Sequence, residues 1–457
     1  MNLLFMANNQ KVYGVRFNGV DAEGIRLNNA KGMSFERATD LSPGVDPFAG
    51  MNWMNGYNVI IEYDTGTSKS VITAYEGSSA YDEKIANGVG NVINIKENSY
   101  FRRTDANTLY VSPKRFAGSE PLYKFGNTVP DKVGFTVYNA ADPGDGTIAS
   151  RSGLPTLVNL NLLQFNQRYM AQGMYAMDFN TMSALQILAQ IKYANRNVQT
   201  VLGRGISNTY AVDKAATVSE TGVSRIILSN ADAANFAVGN RVSLQSGTLF
   251  QLPITSIEVY DASNKAIYVS GVTFDTIAGT TKLRRAVNGT GGSDNIQGSC
   301  GMATGTDGKT DIKMLGLENF YGNAWKLLGG AFRYNNTEFY VHPNKLDMTA
   351  WPATIEEALA QGYQKINVVL PTAGGYINGI VYDDDHRNMF LPTSVGGGPD
   401  KPVGDYYYTA AGNGFYIALF GGYLGLGAND GPFSVSLGYD LASANWSSSS
   451  FGLYLPE

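Results

Sequence analysis

The most regular stretch of this chain lies near its C-terminal end. Phe433, Val435, Leu437 and Tyr439 alternate there with Ser434, Ser436 and Gly438. That is the two-residue period of a half-buried strand. Phe451, Leu453 and Leu455 alternate again, and turn signals fall between at Gly421-Gly422, Gly425, Gly427 and Asn429-Asp430-Gly431. Fixed apolar positions thus hold small polar and aromatic positions on the opposite face and in the loops.

Strand signals recur upstream. Val59 to Tyr63 reads as a strand ending at Asp64-Thr65-Gly66, and residues 69 to about 170 continue in strands. Among them Val92, Ile95, Tyr100 and Phe101 form one arm of an expected hairpin. Leu109, Tyr110 and Val111 form the other, with Thr104 to Asn107 as the turn. Arg102-Arg103 reads as a solvated strand end. The spacing predicts a helix over 178–199, capped by Asp178 or Asn180 and ending by Gly203. Met182, Leu185, Leu188, Ala189 and the stem of Lys192 form its stripe. Thr354 with Glu357 three residues on is a capping box for a short helix or turn over 354–363. Between these helices, residues 211 to about 285 carry short Thr/Val/Ser/Ile strands at a spacing of roughly ten residues, as in a small barrel or sandwich. Residues 286–310 read as a Gly/Ser/Thr return or surface loop.

Composition narrows the function classes. Of 457 residues, 44% are hydrophobic and only 16% charged, with 53 Gly, 28 Tyr and 21 Phe. This is a β- and turn-rich chain with ample apolar material for cores. A net charge of −5 gives no basic stripe for nucleic acid. No run of about 18 apolar residues marks a membrane span, and the start MNLLFMANNQKVYG lacks the basic leader and apolar length of a secretory signal. The single cysteine, Cys300, excludes an internal disulfide framework and reads as an inert loop thiol, with no basic residue beside it. His342 and His386 leave little for metal or acid–base work. Asp383-Asp384-Asp385-His386 is the one acidic cluster, but it lacks the spaced oxygen ligands of a calcium loop and reads as a solvated turn. No metal and no cofactor is expected. HExxH, P-loop and Ser/His/Asp orders are absent from the sequence.

The run Gly316-Leu317-Glu318-Asn319-Phe320-Tyr321-Gly322-Asn323-Ala324-Trp325-Lys326, with Ala418 to Gly422 and Phe451 to Leu455, resembles the variable proteins of diversity-generating retroelements, particularly those carried by bacteriophages. That family has the C-type lectin fold in the version shared with formylglycine-generating enzymes. The resemblance implies an α+β, β-rich C-type lectin-like domain with an N-terminal β leader and an inserted small β domain. Its parts are a leader for attachment and oligomerisation at 1–68, a first part of the lectin-like domain at 69–210, an insert and return loop at 211–310, and the main part at 311–457. The hypervariable ligand-binding face would occupy 405–457. In GLENFYGNAWK, Phe320 and Trp325 would fill the core, and Glu318 and Asn319 would hold loops.

The face itself has the composition of an adaptable binding surface, rich in Tyr, Ser, Gly and Asn, and no Lys or Arg follows Lys401. Its expected contacts are Tyr416, Tyr423, Leu424, Leu426, Asn429, Asp430, Ser434, Ser436, Tyr439, Asp440, Asn445 and Trp446. Tyr423, Tyr439 and Trp446 would be the anchors. Phe420, Gly421, Gly422, Phe433, Val435, Leu437 and Gly452 would be scaffold. The expected function is a non-enzymatic phage fibre protein of the virion, on tail or capsid. Its partners would be a host cell-surface protein or glycan and other virion proteins, and it would be a homotrimer by analogy with phage fibres. The cysteine chemistry of the formylglycine-generating relatives is excluded, because Cys300 lies outside the resembling motif. Carboxylate pairs for glycoside hydrolysis are set by fold rather than by spacing, so a polysaccharide-degrading tail spike is an alternative. A bacterial surface adhesin with the same fold is another.

Overall fold

Gly452–Tyr454, the last described strand of the sequence, is hydrogen-bonded between Tyr175–Ala176 and Lys132–Thr136. The computed structural model that shows this describes residues 13–16, 27–28, 34–35, 48, 50–193, 195–208, 213–244, 249–296, 301–302, 308–344, 346–399 and 403–456. The expectation for Cys300 lies outside the described residues.

The sheet so completed is six-stranded and antiparallel. Its order is Tyr175–Ala176, Gly452–Tyr454, Lys132–Thr136, Asn91–Glu97, Tyr57–Asp64 and Lys69–Tyr75. A boundary at residue 68 therefore falls inside a hairpin, because Tyr57–Asp64 pairs with both Lys69–Tyr75 and Asn91–Glu97. The expected hairpin is also redrawn. Val92 and Ile95 belong to the six-stranded sheet, and the hairpin proper is Tyr100–Asp105 with Thr108–Ser112. Arg103 is no solvated strand end. It is buried, and its guanidinium donates to the carbonyls of Met389 and Val381 at 2.6 Å each.

A second, nine-stranded sheet is built almost wholly from residues after 324. Its path runs Gln364–Lys365, Glu338–Val341, Trp325–Tyr334, Tyr416–Gly421, Gly431–Asp440, Tyr406–Thr409, Gly375–Ile380 and Pro392–Val395, and Ser448–Ser449 lies parallel beside Trp325–Tyr334. Against one of its faces packs the helix Phe179–Tyr193, whose Asp178 carboxylate accepts from the Thr181 amide at 2.8 Å as an N-cap. The helix stops at Tyr193, well short of Gly203, and Gln199–Leu202 is a separate turn. It also lacks a solvent side: every residue but Asn180 is buried. The hairpin at 100–112 covers the surface that an amphipathic helix would leave wet. Its polar groups are met inside, as where Gln186 donates to the Pro432 carbonyl at 2.6 Å.

Two helices lie in the region read as strands, Ser79–Ala86 and Leu162–Met170. The second starts with a capping box between Asn161 and Gln164. It buries Leu162, Phe165 and Tyr169 between Val59, Ile61, Ile93 and Ile95 of the six-stranded sheet and Trp325, Leu327, Ile417 and Leu419 of the nine-stranded one. The short helix Ile355–Ala360 forms where its cap predicted, with the Thr354 hydroxyl accepting from the Glu357 amide at 3.2 Å.

Residues 214–285 form their own six-stranded sheet around a separate core that includes Ile226, Leu228, Val242, Ile254, Ile267 and Leu283. The chain then returns through 286–296, which is no simple surface loop. The Glu318 carboxylate, wholly buried, accepts from the Gly291 amide at 2.9 Å and from the Ser293 amide and hydroxyl at 2.8 Å each. Asn319 donates to Asp311 at 2.6 Å beside it. Burial, with the Asp311 charge added, pushes the Glu318 carboxyl up to about 8. Phe320 and Trp325 of the same run are buried in the two main cores. The molecule is thus a β-rich α+β protein, and among its described residues no helix is long and apolar enough to cross a membrane.

Candidate ligand-binding cleft

The C-terminal strands carry a cleft on the outer part of one sheet face. Tyr416–Gly421 alternates strictly: Ala418 and Phe420 enter the core around the central helix, and Ile417 and Leu419 enter the core around Leu162–Met170. Tyr406–Thr409 runs parallel to Gly431–Asp440, with Tyr407 opposite Val435 and Tyr408 opposite Ser436. Tyr407 is buried in the first core, so alternation turns Tyr406 and Tyr408 to the other face, where both are half-buried.

A bulge in Gly431–Asp440 sets the cleft's rim. Four residues, Ser436 to Tyr439, face the three from Ile417 to Leu419. The inserted residue re-aims the side chain that follows. Tyr439, expected on the same face as Phe433, Val435 and Leu437, joins Ser436 and Gly438 in lining the cleft and is 38% exposed. The same strand differs from expectation in a second way. It is buried on both faces from Gly431 to Leu437 rather than half-buried, because neighbouring strands and loops cover its Ser side as well.

The cleft has a volume of about 430 Å³. Trp325 and Ser436 form its floor, Tyr408, Tyr423 and Tyr439 its aromatic walls, and Leu426, Thr409, Ala410 and Gly438 the remainder. Trp325 meets Tyr408 edge-on with centroids 5.7 Å apart, and Trp446 stands edge-on to Tyr423 at 6.0 Å. The row of rings continues outside the cleft, from Tyr408 to Tyr406 at 4.5 Å and on to Tyr376 at 5.2 Å. Asn429 donates to the Tyr408 hydroxyl at 2.9 Å.

Beneath the wall loop lies a buried charged cluster. Gly422, at φ +79°, has no room for a Cβ, because the Asp430 carboxyl occupies that place; Gly431 has the same relation to the Asp405 carboxyl. Asp405 accepts from the Phe433 amide at 2.7 Å and from the Gln199 side chain at 3.1 Å. Burial raises both carboxyls well above the usual carboxylate range; the Lys326 ammonium pulls Asp430 back and the Asp405 charge raises it further. Burial also brings the Lys326 ammonium down to about 7, offset in part by Asp430. These groups fix the shape of the loop from below and face away from solvent.

Of the residues expected to touch ligand, Tyr423, Leu426, Ser436 and Tyr439 line the cleft, and Asn429 and Trp446 support its walls. Asp440 and Asn445 hold the neighbouring turn, accepting from the amides of Ala442 at 2.9 Å and Ser447 at 3.2 Å. The other four are corrected. Leu424 is wholly buried with Val158, Ile206, Val287 and Ala324. Asp430 belongs to the buried charged cluster. Ser434 is buried and donates to the Tyr406 carbonyl at 3.2 Å. Tyr416 alternates onto the opposite face, where the Arg333 guanidinium lies 3.8 Å from its ring centroid. Sequence reasoning missed Tyr376, Tyr406 and Tyr408 and took Trp325 for core alone. The signal for two of them was present, since Tyr406 and Tyr408 flank the apolar register set by Tyr407.

Asp383 of the acidic cluster is likewise not solvated. It accepts from the Asn367 amide at 2.9 Å and from the Asp385 amide at 3.1 Å, and it lies 3.1 Å from the His386 ring. Among the described residues no group of three or more His, Cys, Asp or Glu side chains is placed to hold a metal ion. No protein-family model matches the chain, and no curated protein matches it.

Proposed function

We propose that this is a bacteriophage virion protein, a fibre or receptor-binding component, that presents a diversified C-type lectin-like surface to the host cell. The single observation that carries the reading is the cleft. The C-terminal segment builds it from rigid strands and lines it with aromatic and small neutral side chains. Such a lining suits adaptable recognition rather than bond breaking. Two further features support it. The strand Gly452–Tyr454 ties the end of the domain to its beginning, as a lectin-like domain requires. The GLENFYGNAWK run, which carries the resemblance, is buried scaffold throughout. Its partner would be a protein or glycan of the host surface, and other virion proteins would hold it in the particle. Weak single sites gain from repetition, and a homotrimer supplies it.

Sequencing this gene across many isolates of one population tests the reading. Substitutions should concentrate at Tyr423, Leu426, Asn429, Tyr439, Asp440, Asn445 and Trp446, at adenines of a nearby template copy, and should spare Phe420, Phe433, Val435 and Leu437. An invariant or evenly varied C-terminal segment would overturn diversification and leave a fixed binding module.

A further inference from the structure

The cleft also limits what it can hold, and this inference rests on the ligand-binding reading above. We propose that its ligand is an uncharged saccharide chain, laid over the row of half-buried rings Tyr408, Tyr406 and Tyr376.

Three observations converge. First, among the described residues no acidic or basic side chain lines the cleft. Lys326, next in sequence to the cleft residue Trp325, is buried and engages the Gly322 carbonyl at 2.8 Å, and no Lys or Arg occurs after Lys401. A sialylated or uronate ligand would be stripped of water there with no counter-charge, which is costly. Second, Tyr408, Tyr406 and Tyr376 follow one another at centroid distances of 4.5 and 5.2 Å, turned by 41° and 76°, with buried Trp325 backing the first of them edge-on. A pyranose has apolar C–H faces and a hydroxyl rim, so successive sugars can pack on successive rings while their hydroxyls reach phenolic oxygens. Third, polar groups are set among the rings rather than apart from them. The Tyr408 hydroxyl accepts from Asn429, which leaves its own proton to donate. Burial raises this phenol, which keeps it a neutral donor. An apolar cleft with a few placed hydroxyl and amide groups is the usual form of a small-ligand site. The row places Tyr376, which precedes the C-terminal run by some thirty residues, in the same site as the loop residues.

The test applies the full chain to an array of neutral and acidic glycans, beside Tyr376→Ala, Tyr408→Ala and Tyr408→Phe. Binding is expected on neutral glycans and should persist when salt is raised to roughly 0.5 M, where exposed charge pairs are screened. Each alanine variant should weaken it by about threefold to tenfold, the worth of one ring contact. Tyr408→Phe keeps the ring, so it should lose less than Tyr408→Ala and guards against a folding artefact. Binding confined to acidic glycans, binding to no glycan, or neutral binding indifferent to Tyr376→Ala and Tyr408→Ala would overturn the proposal. In parallel the chain is applied to intact bacteria before and after periodate oxidation. Cell binding that survives periodate sinks the saccharide and leaves attachment standing. Neutral-glycan binding with no cell bound does the reverse.

Discussion

Replacing Glu318 by Gln should change the stability of this protein by an amount that reverses sign with pH. The folded carboxyl titrates near 8 instead of at its ordinary 4.5. A carboxyl raised on folding contributes most below the unfolded value, and that contribution is lost as pH rises towards the folded one. Each pH unit in the window removes about 1.4 kcal/mol, so between about pH 5.5 and about pH 7.5 the wild type should lose about 2.7 kcal/mol relative to a variant that cannot ionise. The variant carries a fixed penalty of its own. Both carboxyl oxygens accept backbone amides, from Gly291 and from Ser293. A Gln amide can accept on one side only, which leaves a buried N–H unpaired at about 1–3 kcal/mol. Glu318→Gln should therefore be the less stable protein at about pH 4.5 and should equal or exceed the wild type by about pH 8. Urea unfolding of both proteins at several pH values reads the difference, and titrations of groups remote from Glu318 and Asp311 cancel. A gap that stays constant from pH 5.5 to pH 8 would refute the argument and show that the buried carboxyl is ionised throughout.

Three further outcomes follow from buried groups. Lys326→Met removes the buried amine that donates to the Gly322 carbonyl at 2.8 Å and should destabilise by about 1–3 kcal/mol in thermal unfolding, the cost of leaving that carbonyl unpaired. Gly422→Ala drives a Cβ onto the Asp430 carboxyl at a positive φ; it should cost about 1–3 kcal/mol and abolish ligand capture by distorting the cleft wall, while the insert at 214–285 keeps its own unfolding transition. Arg103→Ala strands the carbonyls of Met389 and Val381; a loss of about 2–4 kcal/mol is expected, together with faster proteolysis of the hairpin at 100–112.

Patterns set by near neighbours were legible in the chain. The alternation from Phe433 to Leu437, the caps at Asp178 and Thr354, and the strand at Val59 all appear where the residues predict them. The failures have a common physical source, which is burial by distant parts of the chain. A helix stripe cannot reveal that a hairpin covers the other side of Phe179–Tyr193. Nor can a Ser alternating with Val show that its side will be buried, as happens at Ser434. Arg103 and Asp383 looked solvated because charge usually is, yet carbonyls and amides from elsewhere in the fold receive them. The helix Leu162–Met170 is the exception, since its Asn161 cap and the spacing of Leu162, Phe165 and Tyr169 were present to be read. In the candidate site, composition pointed to the right segment. The bulge that turns Tyr439 outward and the pairing that brings Tyr376 beside Tyr406 exist only in three dimensions.

The pairing of residue 134 with residue 454 also governs how the molecule can be made. On the ribosome, the strand Lys132–Thr136 emerges early, pairs with Asn91–Glu97, and then waits with its other edge bare while some three hundred further residues are synthesised. An open edge of that kind recruits other chains, and contacts so distant in sequence form slowly. The insert at 214–285 has its own core and can fold during the delay; the six-stranded sheet cannot close. Closure therefore acts as a proofreading step: a nascent chain that stops short of Gly452 keeps an adhesive edge for chaperones and proteases to find.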